Sequence, residues 1–331
     1  MTIKSKPVFS SSHLITFFTC LLCFFLFYSH PLAAETPQGF VDHFDSGINP
    51  ERWIVINKQW GGDNGGVSSQ NIHWVNAPDH PLELWAQGDL YQGPPKGAKG
   101  QTIRVGSALA TREYYASGEY AVCAKLPPDI GVASAFWLFH YLELSPDDPD
   151  FISGKSPIRN SEIDWELPTH PDINTPISYR YAKTNAWGGK KPGEDDYFTA
   201  IVDLAPFNQG KDPAQDEHYH LYEIRWRSGN TLPNRKVQPG SIEWLFASDC
   251  NQPAQLVKHL SGKTGTKDDI PYRAARFWIG LWFPVSKTPY ENKYTGWAGT
   301  PHFKETQLLI RWVRIAPYTG QYNYDVWVPE T

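Results

Sequence analysis

From residue 82 to residue 316, apolar side chains, many of them aromatic or β-branched, recur with a period of two in short segments separated by clusters of Gly, Pro, Asn and Asp. Such alternation puts successive side chains on opposite faces of an extended chain, the signature of strands with one buried face. Strands are predicted over 82–86, 107–113, 118–126, 133–141, 161–167, 220–226, 241–247, 276–283 and 308–316. Long amphipathic helical runs and heptads are absent, so the expected fold class is all-β, an antiparallel β-sandwich. Two segments break the pattern and are predicted as loops: 143–159, rich in Pro and Asp, and 188–217, rich in Gly, Lys, Pro and Asp. The first feeds directly into the strand at 161–167, where a long loop is placed to shape a cleft.

The N-terminus follows a different pattern. Lys4 and Lys6 precede an apolar run over 14–28, which ends in Pro31-Leu32-Ala33-Ala34. This order of charged, apolar and small residues reads as a secretory signal peptide over 1–34, with cleavage near Ala34. At ~1.5 Å per residue the run falls short of a ~30 Å hydrocarbon core, which argues against an uncleaved anchor. No later segment is apolar enough to span a bilayer. The mature chain, 35–331, shows no linker or repeat and is expected to be one domain, secreted or periplasmic and monomeric. With a formal net charge of -5 there is no basic excess to neutralise phosphates, so nucleic acid is not the expected partner. Cys20 and Cys23 leave with the leader. Cys123 and Cys250 remain; an oxidising compartment permits a disulfide between them, and two buried free thiols are the alternative.

Chemistry enters with Glu162-Ile163-Asp164-Trp165-Glu166-Leu167. In a strand the three acids line one face and Ile163, Trp165 and Leu167 the other. An ordinary strand with a wet acidic face would show the same pattern. Three adjacent carboxylates repel, however, so that one holds a proton near neutral pH while a neighbour stays ionised. One acid and one carboxylate about 5 Å apart are what retaining glycoside hydrolysis needs, although strand positions i and i+4 lie roughly 13 Å apart, so the side chains must lean together. Aromatic residues make up 15% of the chain, with 14 Trp, more than a core of this size requires. Indole rings present the flat apolar area on which pyranose rings stack. His140, His218 and His220 lack metal-like spacing with acids or cysteines and read as ordinary polar residues; no metal or cofactor is expected.

Five blocks together resemble glycoside hydrolase family 16, the laminarinase, lichenase and agarase clan. They are Gly118-Glu119-Tyr120 through Leu126-Pro127, Ser134-Ala135-Phe136-Trp137-Leu138, the Glu162 to Glu166 row in its unbulged form, His220-Leu221-Tyr222 through Trp226, and Arg311-Trp312-Val313-Arg314-Ile315. They occur in the family's order. The resemblance implies a curved, concanavalin-like β-jelly roll, with Glu162 as nucleophile, Asp164 orienting it, and Glu166 as general acid/base. It also implies that Trp137 and Trp282 line a sugar cleft; Tyr179, Tyr181 and Asn185, downstream of the acids, are further candidates for sugar contacts. Two departures stand out. Asn160-Ser161 replace the Gly or aromatic residue that often precedes the first acid. Arg311 stands where many members place a calcium-binding Asp, and a guanidinium cannot ligate a hard cation, so that site is expected to be missing.

The expected function is a secreted, retaining endo-β-glycanase acting on β-1,3 or mixed β-1,3-1,4 glucan. Alternatives on the same scaffold are a transglycosylase and a hydrolase of agar or carrageenan. Arg180, Lys183, Lys190 and Lys191 would suit a sulfated chain. A non-catalytic glycan-binding protein is the reading from another class, opposed by the presence of all three acids.

Overall fold

The computed structural model describes residues 37–59, 66–76, 82–143, 145–147, 151, 153–154, 158–187, 197–228, 230–231, 237–238, 240–262, 270–271, 273–284 and 297–319. The expected leader and Lys190 and Lys191 lie outside these. The strands are β1 (Phe40–Asp42), β2 (Trp53–Val55), β3 (Ile72–Trp74), β4 (Leu82–Gln87), β5 (Ser107–Thr111), β6 (Gly118–Lys125), β7 (Ala133–Glu143), β8 (Ile158–Leu167), β9 (Tyr181–Trp187), β10 (Tyr197–Asp203), β11 (His220–Arg227), β12 (Asn230–Thr231), β13 (Val237–Gln238), β14 (Ser241–Ala247), β15 (Gln255–Ser261), β16 (Arg276–Trp282) and β17 (Glu305–Pro317). The helical elements among the described residues are two short 3-10 turns.

Two antiparallel sheets stack face to face. One runs β15-β14-β11-β6-β17-β4-β3, with β1 joining β17 beyond the end of β4; the other runs β10-β9-β8-β7-β16-β5-β2. The inner faces interleave Phe136, Leu138, Ile163, Trp165, Phe277 and Ile279 from the second sheet with Tyr120, Val122, Tyr222, Trp226, Trp244 and Phe246 from the first, in one continuous core. A strand contributes every second residue to that core, and this is the alternation read in the sequence.

The core also fixes the height of β8. Trp244 Nε1 donates to the backbone oxygen of Asp164 at 2.9 Å, and Trp165 Nε1 donates to the backbone oxygen of Glu223 at 3.1 Å. The two indoles thus bridge the sheets from opposite sides directly beneath the acidic row. Buried Trp N–H groups need acceptors, and each here finds one on the facing sheet. Behind the first sheet, Cys123 of β6 and Cys250, after β14, form a disulfide with Cα atoms 5.6 Å apart. This closes a loop with a sequence separation of 127 residues.

All nine predicted strands form, with ends shifted by a few residues. The loop predicted over 188–217 is corrected: it contains β10 and the 3-10 turn Ala205–Phe207. Among the described residues β10 is an edge strand that pairs with β9 alone, anchored by Phe198 stacked on Trp244 with centroids 5.8 Å apart. One-sided pairing and a Gly- and Lys-rich approach conceal such a strand from pattern reading. β9 itself, Tyr-Ala-Lys-Thr-Asn-Ala-Trp, lacks a clear apolar alternation because Lys183 and Asn185 on one of its faces serve the site.

Candidate active site

β8 lies in the middle of its sheet, paired with β7 from Ser134↔Leu167 to Glu143↔Ile158 without a register shift. This unbroken pairing keeps Glu162, Asp164 and Glu166 on the outer face. They line a cavity of about 250 Å³ together with Lys58, Ala135, Trp137, Phe139, Trp278 and Trp282. The register explains the set: Ala135, Trp137 and Phe139 of β7 stand opposite Glu166, Asp164 and Glu162, and Trp278 of β16 stands opposite Trp137.

Trp137 and Trp278 stack with centroids 5.6 Å apart and planes inclined by 23°. Trp137 lies over Gly280, where a Cβ would come within 3.0 Å of its ring, so the missing side chain is what lets the indole lie on the cleft floor. Trp282 meets Trp297 edge to face at 6.2 Å. Lys58, on the segment before β3, places its Nζ 5.6 Å from the Trp278 ring centre.

Burial raises the pKa of every acid in the row. Glu162 is pushed to about 8, first by desolvation and then by the charge of Glu166. Asp164, only 3% exposed, is driven well above the carboxylate range by burial, with both neighbouring glutamates adding to it. Glu166 is also raised by burial, but opposed by the Lys183 ammonium and by a hydrogen bond from Asn185. Because the charge of Glu166 is one reason Glu162 is raised, a proton on Glu166 favours ionised Glu162, and the two titrate as a linked pair.

β9 supplies the polar wall. Asn185 Nδ2 donates to Glu166 Oε2 at 2.7 Å, while Thr199 Oγ1 of β10 donates to Asn185 Oδ1 at 2.6 Å and so sets the amide's orientation. Lys183 Nζ lies 3.5 Å from the same Glu166 Oε2 and 4.8 Å from the Trp297 ring centre.

Of the residues singled out from sequence, the structure brings Glu162, Asp164, Glu166, Trp137, Trp282 and Asn185 together. Tyr181 is on the same face of β9 but past the end of the acidic row, half-buried beneath Arg180. Tyr179 is corrected: it is 1% exposed in the core, and its hydroxyl donates to the Asp129 backbone oxygen, so it presents nothing to the cleft. Arg180 forms a two-pronged pair with Asp203 and Lys183 is held by Glu166, so these two cations are engaged within the fold. Sequence reading missed Trp278, Phe139, Lys58 and Trp297. The first two were within reach, since period two puts Trp278 on the face of Trp282 and Phe139 on that of Trp137; Lys58 and Trp297 sit outside strands and carried no signal.

Arg311 falls at a bulge in β17, between Ile310 and Trp312, and lays its guanidinium 4.1 Å from the Tyr219 ring centre. A cation fills this position, and the residues there do not fit a calcium ion.

Comparison with curated protein sequences returns no match. Among solved structures, the Bacillus licheniformis β-glucanase is similar with a TM-score of 0.55 and 17% identity, covering 86% of this chain and 100% of that one. The laminarinase catalytic domain from Thermotoga maritima gives 0.54 and 17%, covering 86% and 100%. The Crh5 transglycosylase gives 0.50 and 15%, covering 86% of each chain. At these identities the likeness is one of fold, a jelly-roll sandwich. The sequence model of the glycosyl hydrolases family 16 matches residues 67–232, half of the chain and the half that holds β7, β8 and β9. On that match, over a sheet in which an interior strand carries the three acids, the chain belongs to glycosyl hydrolase family 16.

Proposed function

We propose that this protein is a retaining endo-β-glycanase that cleaves β-1,3 or mixed β-1,3-1,4 glucan, with Glu162 as nucleophile and Glu166 as acid/base. The observation that carries the reading is the row of three carboxylates, Asp164 and Glu166 buried and Glu162 partly so, lining one cavity with Trp137, Trp278 and Trp282. In the first step Glu166 gives its proton to the departing glycosidic oxygen while the Glu162 carboxylate attacks the anomeric carbon, forming a glycosyl ester. In the second, Glu166, now a carboxylate, takes a proton from water, which attacks the same carbon and frees Glu162. Asp164, between them and kept protonated by its burial, can donate a hydrogen bond to a neighbouring carboxylate. Trp137, Trp278 and Trp282 offer rings for the sugars on either side. Family membership, and a fold shared with a β-glucanase and a laminarinase, support the choice of glucan.

Secretion or residence in the periplasm is part of the proposal. It is supported by the leader-like pattern over 1–34 and by the Cys123–Cys250 disulfide, which suits an oxidising compartment.

The test is reducing-sugar release by the mature protein from laminarin, lichenan, carboxymethylcellulose, agarose and carrageenan, beside folded Glu162→Gln and Glu166→Gln proteins. Release from laminarin or lichenan that drops at least about 10³-fold in both variants is expected. Equal rates in the variants would sink the reading. Product lengths with a labelled oligosaccharide acceptor separate hydrolysis from transfer to sugar.

A further inference from the structure

We propose that Lys183, held between the Glu166 carboxylate and the Trp297 indole, is a positioning residue that confines the mobile proton of Glu166 to Oε1. This rests on the assignment of Glu166 as acid/base. The argument is one of donors and acceptors. Glu166 Oε2 receives the Asn185 amide N–H at 2.7 Å and has the Lys183 ammonium 3.5 Å away. An ammonium has three donors and no acceptor, and Thr199 Oγ1, by donating to Oδ1, holds the Asn185 amide with its nitrogen rather than its oxygen toward Glu166. A proton on Oε2 would therefore face donors alone. No hydrogen bond occupies Oε1 among the described residues, so the protonated acid carries its hydrogen there, and the same oxygen takes the proton back from water in the second step.

Lys183 is itself fixed from two sides. Its charge rests 4.8 Å from the Trp297 ring centre, and Trp297 packs edge to face on Trp282, which lines the cleft. The charged and polar groups facing Glu166 are few. Asp164 and Glu162 come from its own strand, Lys183 and Asn185 from β9, while β7 presents the apolar Ala135; Lys58 lies across the cavity. Lys183 is thus the one cation in contact with the acid among the described residues, and it stabilises the carboxylate that Glu166 becomes after protonating the leaving group.

Carbon-13 titration of glutamate-labelled protein, with the Glu166 carboxyl assigned by its loss in Glu166→Gln, reads this directly and without substrate. In Lys183→Met the Glu166 midpoint is expected to rise by about one pH unit or more, since an opposite charge at this distance lowers a carboxyl by 1–3 units. Lys183→Arg should restore it. The basic limb of kcat/KM should move upward by the same amount in Lys183→Met. Thr199→Val, which frees the Asn185 amide to turn while leaving Lys183 in place, should move the limb in the same direction by less. A Glu166 midpoint unchanged in folded Lys183→Met overturns the proposal, and so does a shifted midpoint with a stationary basic limb. Failure of the glycanase reading shows elsewhere, as undiminished activity in Glu162→Gln, and leaves the titration midpoints as they are.

Discussion

A Cβ at position 280 would sit 3.0 Å from Cη2 and 3.1 Å from Cζ3 of Trp137, tighter than most nonbonded carbon contacts. The indole would have to give by a few tenths of an ångström for a Cβ and by more for a branched side chain, and the stacked Trp278 restrains it from moving along the floor. Gly280→Val is therefore expected to push Trp137 into the cleft. We predict a rise in KM on polysaccharide of about 10-fold or more, corresponding to roughly 1–3 kcal/mol of lost ring contact, with a smaller change in kcat. Gly280→Ala should lie between. Michaelis kinetics on the preferred glucan decide this; a fall in kcat alone would show that position 280 acts on the acids instead. At this scale the sequence was partly legible. The pattern Arg276-Phe277-Trp278-Ile279-Gly280-Leu281-Trp282 places Trp278, Gly280 and Trp282 on one face by period two. That Trp137 would cover Gly280 depends on the pairing of β16 with β7, which no local pattern specifies.

β8 is held in plane by ladders to β7 and β9 and in height by the Trp244 N–H from below and by its own Trp165 N–H, which donates down to the Glu223 backbone oxygen. Trp244→Phe keeps most of the ring but removes the donor to the Asp164 backbone oxygen. The expected cost is about 0.5–1.5 kcal/mol, the net worth of one hydrogen bond to a carbonyl that stays within its ladder. Because this bond sits under the middle acid, kcat should fall several-fold while KM changes little. Denaturant unfolding and steady-state kinetics measured on the same protein check both parts. Elements with two-sided pairing and an apolar inner face, such as β6, β7, β8 and β11, were readable from alternation. β9 and β10 were not, because Lys183, Asn185 and Thr199 occupy the outer face for the site rather than for strand formation, and β10 pairs on one edge only. β1, β2 and β3 span three residues each, too short for a period to register.

For the molecule as a whole, the acidic row is a stability cost that depends on pH. Glu162 titrates near 4.5 when exposed and near 8 in the fold, so its folded-state value is raised. A raised carboxyl leaves the fold at full stability below the exposed value, where it is protonated in both states. Stability then falls as pH rises through the interval from about 4.5 to about 8, because the unfolded chain loses its proton first. Glu162→Gln carries no proton to lose. Its melting temperature relative to wild type should therefore be similar near pH 4 and higher by a few degrees near pH 9, as calorimetry across that range will show. A difference that is the same at both pH values would mean that the native row takes up no extra proton.

The sequence by itself determined the all-β class, the strands that build both halves of the core and the three acids on a common face. These follow from local chemistry: a period of two sets which side chains share a face, and residue type sets which can be buried. Tertiary structure alone decided the rest. It put Lys183, Asn185 and Thr199 around a single oxygen of Glu166, sent Tyr179 into the core although it lies near the acids in sequence, and brought Trp297 from outside any strand to the edge of the cleft. Those outcomes depend on which strands become neighbours and in what register, a choice set by burial summed over both sheets and encoded in no single segment.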